Sequence, residues 1–212
     1  PEISPWLCIS GINRGPNLSI DVLHSGTVSA AREASLYGMP SFSVSLATYA
    51  HENYSDSIKA ALKLVDRLSN VVLSPPKNLL RPNGTGLPLS VEKSNRTIRS
   101  WLADGNLFLN MNIPEKWNGL FQTVPLGARW YHNATDMLNK GNSGVAFEVG
   151  AARIVEEDIP MTDCNSINSG YASITPLASW PGNHPLGMPD SLLEASLEQE
   201  TDGFPSWLTS GP

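Results

Sequence analysis

The 212-residue sequence has no excess of basic residues, with 14 Lys and Arg against 20 Asp and Glu and a net charge of −6. A groove that follows a nucleic-acid backbone needs clustered positive charge, so a nucleic-acid polymer is not an expected partner. The basic residues are also unevenly placed. Up to Arg153 there are 14 basic and 11 acidic residues, whereas from Ile154 onward there are no basic residues and nine acidic residues. The last quarter of the chain is therefore chemically distinct.

Long apolar runs and cysteines are also scarce. No run approaches the roughly 18 apolar residues of a membrane span, so no membrane partner is expected. The two cysteines, Cys8 and Cys164, cannot form a disulfide framework and have no metal-ligand spacing. No signal or transit peptide is visible in a chain that opens on Pro1 without a methionine. A cytoplasmic location is predicted, and organellar targeting stays open.

The first fifty residues have the pattern of a strand, a loop, a helix and a second strand. The apolar run Trp6–Ile9 predicts a strand buried on both faces, and the Gly, Pro and Asn content of Gly11–Asn17 predicts an irregular loop. Val28–Tyr37 has a helical composition with Ser25 as its N-cap, and Phe42–Leu46 alternates as a strand. A unit of this size predicts a right-handed parallel crossover.

The remaining pattern supports an α/β fold with a three-layer, Rossmann-like parallel sheet and β-hairpin excursions. Residues 1–180 are predicted to form one domain, and residues 181–212 an acidic tail that is either an exchanged arm or disordered. The further predicted elements are a helix at 55–68, a long loop at 74–96, strands at 107–114, 122–130, 145–149 and 170–175, and a helix at 190–199.

The segment from Ser10 to Thr27 is the densest candidate site. Ligands of parallel α/β sheets bind beyond the carboxyl ends of strands, where Asn13 and Asn17 are expected. Their amide groups suit a hard cation that has carboxylates elsewhere, or phosphoryl oxygens. The Ser25-Gly26-Thr27 tripeptide opens a helix and offers free N–H groups to an anion. Composition alone leaves an ordinary turn and an ordinary helix cap as alternatives.

Several motifs together are more specific. They are Ser10-Gly11-Ile12-Asn13-Arg14-Gly15-Pro16-Asn17, Ser25-Gly26-Thr27-Val28, Ala31-Arg32-Glu33-Ala34, Asn110-Met111-Asn112-Ile113-Pro114, and Thr162-Asp163 followed by Gly170-Tyr171-Ala172-Ser173-Ile174-Thr175-Pro176-Leu177. This pattern, over roughly residues 5–178, resembles the SurE family of metal-dependent phosphatases that act on nucleoside monophosphates.

The resemblance implies a role for each matching residue. Asn13 would be a ligand of a divalent metal, Mg²⁺ or Mn²⁺, and Asn17 a contact to the substrate or transition state. Ser25, Gly26 and Thr27 would face the phosphate. The resemblance also implies a hydrolase, with a nucleoside monophosphate or another phosphate monoester as substrate, assembled as a homodimer or homotetramer.

One departure from the family pattern concerns the metal. Family members open with a strand that ends in two aspartates, whereas no Asp-Asp pair occurs in these 212 residues. Asn13 alone would bind a divalent ion negligibly, because such ions need anionic oxygens. The sequence therefore lacks the N-terminal part of the domain, or it is a non-catalytic, oligomerising relative. A broader acid phosphatase or polyphosphatase is a further alternative.

Four other polar residues near these motifs have less specific expectations. Arg14 is expected at the surface or behind the pocket, and His24 is expected to be a half-buried or surface imidazole rather than a substrate contact or a proton donor. Asp21, alone in a loop, is not expected to replace the missing aspartates. Asp163 is expected either to orient loops at the pocket mouth or to cap a loop.

Overall fold

The computed structural model describes residues 4–84, 93–132, 135–139, 145–149, 153–182, 184 and 187–209. Its strands are β1 (Cys8–Arg14), β2 (Ser41–Leu46), β3 (Leu107–Ile113), β4 (Phe121–Thr123), β5 (Arg129–His132), β6 (Thr135–Asn139), β7 (Val145–Val149), β8 (Arg153–Glu156) and β9 (Ala172–Ala178). Its helices are α1 (Asp21–His24), α2 (Gly26–Leu36), α3 (Ser55–Ser69), α4 (Asn95–Ala103), α5 (Asp163–Asn168), α6 (Asp190–Ser196) and α7 (Ser206–Thr209).

The central sheet has five strands in the order β1-β2-β3-β9-β4. β1, β2 and β3 are parallel, β9 runs antiparallel to β3, and β4 runs parallel to β9. The predicted α/β fold with a mainly parallel sheet is thus confirmed, although its far side is mixed. The remaining strands form two antiparallel pairs, β5 with β8 and β6 with β7, as the hairpin excursions.

Helices cover both faces of the sheet. Neighbouring residues of β3 point to opposite faces, and they belong to different cores. Phe108 packs with Val22 of α1 and Val28 of α2 in a small core. Leu107 and Leu109 belong to the larger core, which includes buried residues of α3, α4, α6 and α7. The chain therefore has the predicted three layers.

The sequence pattern predicted α2 and α3 but missed α4. Ser25 caps α2 as expected, since its Oγ accepts a hydrogen bond of 3.1 Å from the amide of Val28. In α4, Ser94 caps the helix in the same way and Trp101 is buried. Of the predicted loop at 74–96, residues 85–92 lie outside the described residues and residue 95 already begins α4. Among the described helices, none is long and apolar enough to cross a membrane.

The described residues after Pro181 share the core of the preceding chain. Trp207 and Leu192 are fully buried, and the Trp207 carbonyl accepts a hydrogen bond of 2.6 Å from Nε of Arg99 in α4. The alternative of a disordered tail is therefore wrong for residues 187–209, because the apolar residues of this segment pack into the core beside α4. The division at residue 180 stays a prediction, and residues 183, 185–186 and 210–212 lie outside the described residues.

Candidate phosphate-binding site

β1 continues further than its apolar run indicates. The loop was predicted to begin at Gly11, but β1 pairs with β2 up to Arg14, with an irregularity between Ser10 and Asn13. Gly11 lies at φ +132°, and a Cβ atom there would be 2.3 Å from the carbonyl oxygen of Val44. Glycine is needed for this close approach, and the loop itself begins at Gly15.

Asn17 is fixed at the carboxyl edge of the parallel strands. Its amide donates to Oδ1 of Asn112 at 2.8 Å, and its carbonyl accepts from Nδ2 of Asn110 and of Asn112. Its side-chain Nδ2 donates to Oγ of Ser45 at 2.7 Å. Asn17 is buried, and its Oδ1 is its remaining acceptor. The motif pattern assigned Asn110 and Asn112 no role of their own, although their alternation on one face of β3 was an available signal.

Asn13 and Arg14 end β1 with side chains in different surroundings. Asn13 is half-buried, and its Nδ2 donates to the carbonyl of Gly15 at 2.9 Å, which leaves Oδ1 as an acceptor. Arg14 is exposed and pairs with Glu52 at 2.8 Å. The expectation that Arg14 lies at the surface is therefore confirmed.

The start of α2 offers unpaired backbone donors. Ser25 Oγ accepts from Val28, so it satisfies the third amide of the helix. The first two amides, those of Gly26 and Thr27, have no carbonyl acceptor inside the helix. Gly26 is exposed, with no atom within 4 Å of the position of a Cβ. Since α2 follows β1 in a parallel crossover, its N-terminus lies at the same sheet edge as Asn13 and Asn17.

A buried ion-pair network holds the loop between Asn17 and α1. Asp21, the first residue of α1, accepts hydrogen bonds from the amide of Leu18 at 3.0 Å and from Nη1 of Arg129 at 2.9 Å. Arg129 also donates through Nε to Glu156 at 2.8 Å, and Tyr131 OH donates to Asp21. Burial alone would lower the pKa of Arg129, but the hydrogen bond and charge of Glu156 and the charge of Asp21 raise it. Asp21 is thus committed to Arg129.

Asp163 ties the same loop to the second block of the motif pattern. Its carboxylate accepts from the amides of Ser19 at 2.9 Å, Gly127 at 2.6 Å and Cys164 at 2.8 Å. Burial raises the pKa of Asp163, and the three amide donors oppose that rise. Asp163 therefore joins the loop that follows Asn17 to the connection at Gly127, in line with the loop-orienting expectation, whereas the N-cap of α5 is Thr162.

The donor chemistry of the described residues does not make a divalent-metal site by itself. In that part of the chain, no group of three or more His, Cys, Asp and Glu side chains could hold a metal ion. Asn13 offers one neutral oxygen, whereas Asp21 is paired with Arg129 and Asp163 with backbone amides. The residues present therefore fit an anion better than a cation.

Asparagines at the strand ends of an α/β sheet, beside an open helix N-terminus, form an arrangement that suits an anion such as a phosphoryl group. The chain belongs to the SurE family, because the family model described as "Survival protein SurE" matches residues 1–133.

Curated relatives support the same assignment. The chain is similar to the 5'-nucleotidase SurE of Synechococcus sp. (strain JA-3-3Ab), with 33% identity over 81% of this chain and 56% of the relative. It is also similar to the 5'-nucleotidase SurE of Pelotomaculum thermopropionicum, with 37% identity over 82% of this chain and 55% of the relative. The chain thus spans little more than half the length of these relatives.

A solved structure matches the fold. The crystal structure of the SurE protein from Aquifex aeolicus aligns with a TM-score of 0.56 and 24% identity, over 85% of this chain and 62% of that chain. At this identity the likeness concerns the fold alone.

Proposed function

We propose that this chain is part of a metal-dependent phosphomonoesterase that hydrolyses nucleoside 5'-monophosphates to nucleoside and phosphate. The proposal rests on the first two residues of α2, Gly26 and Thr27, whose amides have no acceptor inside the helix, and on Asn17, which the sheet fixes near the same edge. The names of the curated relatives, 5'-nucleotidase SurE, support the substrate class.

The phosphoryl oxygens would lie at the start of α2. The amides of Gly26 and Thr27 would donate to them, assisted by the positive end of the helix dipole and by the hydroxyls of Ser25 and Thr27. Asn17, whose position is fixed by the sheet, would reach the same group through the second N–H of its Nδ2, because its Oδ1 can only accept. Fixed donors of this kind stabilise the charge that builds on phosphoryl oxygens in the transition state.

Asn13 would contribute one neutral ligand to Mg²⁺ or Mn²⁺, an ion that also needs carboxylate ligands. When bound, such an ion polarises a phosphoryl group and lowers the pKa of a water molecule. Asn13 would offer its Oδ1 to the ion while its Nδ2 stays bonded to the carbonyl of Gly15.

We also propose a homodimer or homotetramer, and a cytoplasmic location, both from the family resemblance. The β5–β8 pair supports the assembly, because Trp130 and Ile154 expose large apolar side chains on it. Such side chains are usual at contact surfaces.

A non-catalytic oligomerising module is the second candidate. The absence of an acidic cluster among the described residues favours it. The experiment is an assay of the longest protein that carries this chain on several nucleoside monophosphates with Mn²⁺. Turnover in the wild type, and its loss in Asn13→Ala but not in Asn70→Ala, would support the enzyme and the role of Asn13. Unchanged turnover in Asn13→Ala would refute that role, and no turnover in the wild type would favour the module.

A further inference from the structure

A cavity of about 760 Å³ lies beside edge strand β4, on the sheet face that α3 covers. This volume is within the range of small-molecule sites. The cavity lies on the opposite face of the sheet from α2, so it is separate from the proposed phosphate site. Its walls come from α3, the connection between β3 and β4, and the turn before α7: Lys59, Leu62, Lys63, Arg67, Trp117, Leu120, Phe121, Asp202 and Phe204 among others.

Aromatic side chains form the floor of this β4 cavity. The rings of Trp117 and Phe121 meet nearly edge to face with centroids 5.2 Å apart, and Phe121 and Phe204 have centroids 4.2 Å apart. Leu62 and Leu120 are exposed beside them. A flat ring placed here would remove this apolar surface from water and find aromatic neighbours.

Three cations line one wall at intervals of four residues on α3. Two of them are already paired, Lys59 with Asp56 at 3.0 Å and Arg67 with Asp202 at 2.7 Å. Lys63 is different: its Nζ lies 5.0 Å from the centre of the Trp117 ring. Within the described part of the chain, no carboxylate forms an ion pair with Lys63. Lys63 is therefore the cation that a ligand can pair with.

We propose that the β4 cavity binds a flat aromatic molecule that carries one anionic group. The ring lies against Trp117 and Leu120, and the anionic group pairs with Nζ of Lys63 without displacing it from the Trp117 ring. Asp66 also lines the cavity, and none of the ion pairs among the described residues involves it, so a second negative charge beside it would be repelled. The site thus selects for one charge and one ring system.

The test uses 2-naphthoate as the probe, with 2-naphthalenemethanol as its neutral match. Nucleotides are unsuitable probes because the proposed function places them at α2. Calorimetry should show saturable binding of 2-naphthoate, and amide chemical shifts should change in 59–67 and 117–121. The neutral compound and the Lys63→Gln variant should each bind about three- to fivefold more weakly, as expected for one partly exposed ion pair.

Lys77→Gln is the matched control, because Lys77 is exposed and does not line the cavity. It should bind 2-naphthoate as the wild type does, and circular dichroism should confirm that both variants are folded. Equal affinity for the neutral compound, equal affinity in Lys63→Gln, or shifts outside the cavity would overturn the proposal. A dimer that buries Lys63 and excludes the probe would overturn it in favour of a contact between copies.

Discussion

Replacing Arg129 by methionine should destabilise the fold far more than a typical substitution of an arginine. Arg129 is 6% exposed, and it is the cation that compensates both Asp21 and Glu156, whose side chains are 9% and 20% exposed. Methionine keeps much of the apolar volume but removes the hydrogen bonds to both carboxylates. Two largely buried negative charges would be left without a cation. Breaking a buried pair in this way costs about 3–5 kcal/mol.

The matched control is Arg14→Met. Arg14 also pairs with a carboxylate, Glu52, at 2.8 Å, but the two side chains are 47% and 64% exposed. Exposed pairs contribute about 0–1 kcal/mol, so this variant should unfold almost as the wild type does. The two variants therefore differ mainly in burial.

Urea unfolding at pH 7, followed by circular dichroism, measures both variants. We expect a loss of at least about 3 kcal/mol for Arg129→Met and less than about 1 kcal/mol for Arg14→Met. Adding Asp21→Asn and Glu156→Gln to Arg129→Met should restore part of the loss, because the uncompensated charges are removed. Equal losses in the two single variants, or no recovery in the triple variant, would show that Arg129 does not compensate the two buried carboxylates.

Three further predictions concern single groups. Burial and the hydrogen bond to Asp21 raise the pKa of Tyr131 to about 12. Because the unfolded chain loses this proton first, the free energy of unfolding falls as pH rises from about 10 to about 12. In Tyr131→Phe the free energy from urea unfolding should depend less on pH in this range, and an unchanged slope would contradict this. Burial and the charge of Asp163 raise the pKa of Cys164 to about 12. Iodoacetamide at pH 8 should therefore alkylate the half-buried Cys8 before Cys164, and mass spectrometry would measure both rates. Faster labelling of Cys164 would be inconsistent with its buried environment. Gly11→Ala should lower the free energy of unfolding by roughly 1–3 kcal/mol through backbone strain. An unchanged free energy from urea unfolding would argue against the close contact with the carbonyl of Val44.

Local patterns were enough for much of the fold. Ser25 as an N-cap, the spacing of apolar residues in α3 and the apolar composition of β3 each depend on neighbours within a few residues. Ser25 makes the predicted capping bond and β3 is buried throughout, whereas α3 forms as predicted but leaves Ile58 and Leu62 exposed. Its buried residues are Ser57, Ala60, Leu64 and Leu68. The motif pattern likewise predicted the family before any geometry was known.

Long-range partners were outside the reach of such patterns. Nothing near Asp21 in the sequence indicates Arg129, 108 residues away, so Asp21 looked like a solitary loop residue. The antiparallel pairing of β9 with β3 was equally invisible, since a strand's composition does not encode its direction. The apolar residues after Pro181 were hidden by the acidic residues around them, which made a packed segment resemble a tail.

Binding of a phosphoryl group at the start of α2 can be measured directly. A non-hydrolysable methylenephosphonate analogue of AMP would be titrated into the ¹⁵N-labelled protein, with adenosine as the control that lacks the anion. We expect saturable shifts, largest at the amides of Gly26 and Thr27 and smaller at Asn17, and none of these with adenosine. Saturable binding that leaves Gly26 and Thr27 unshifted would contradict it.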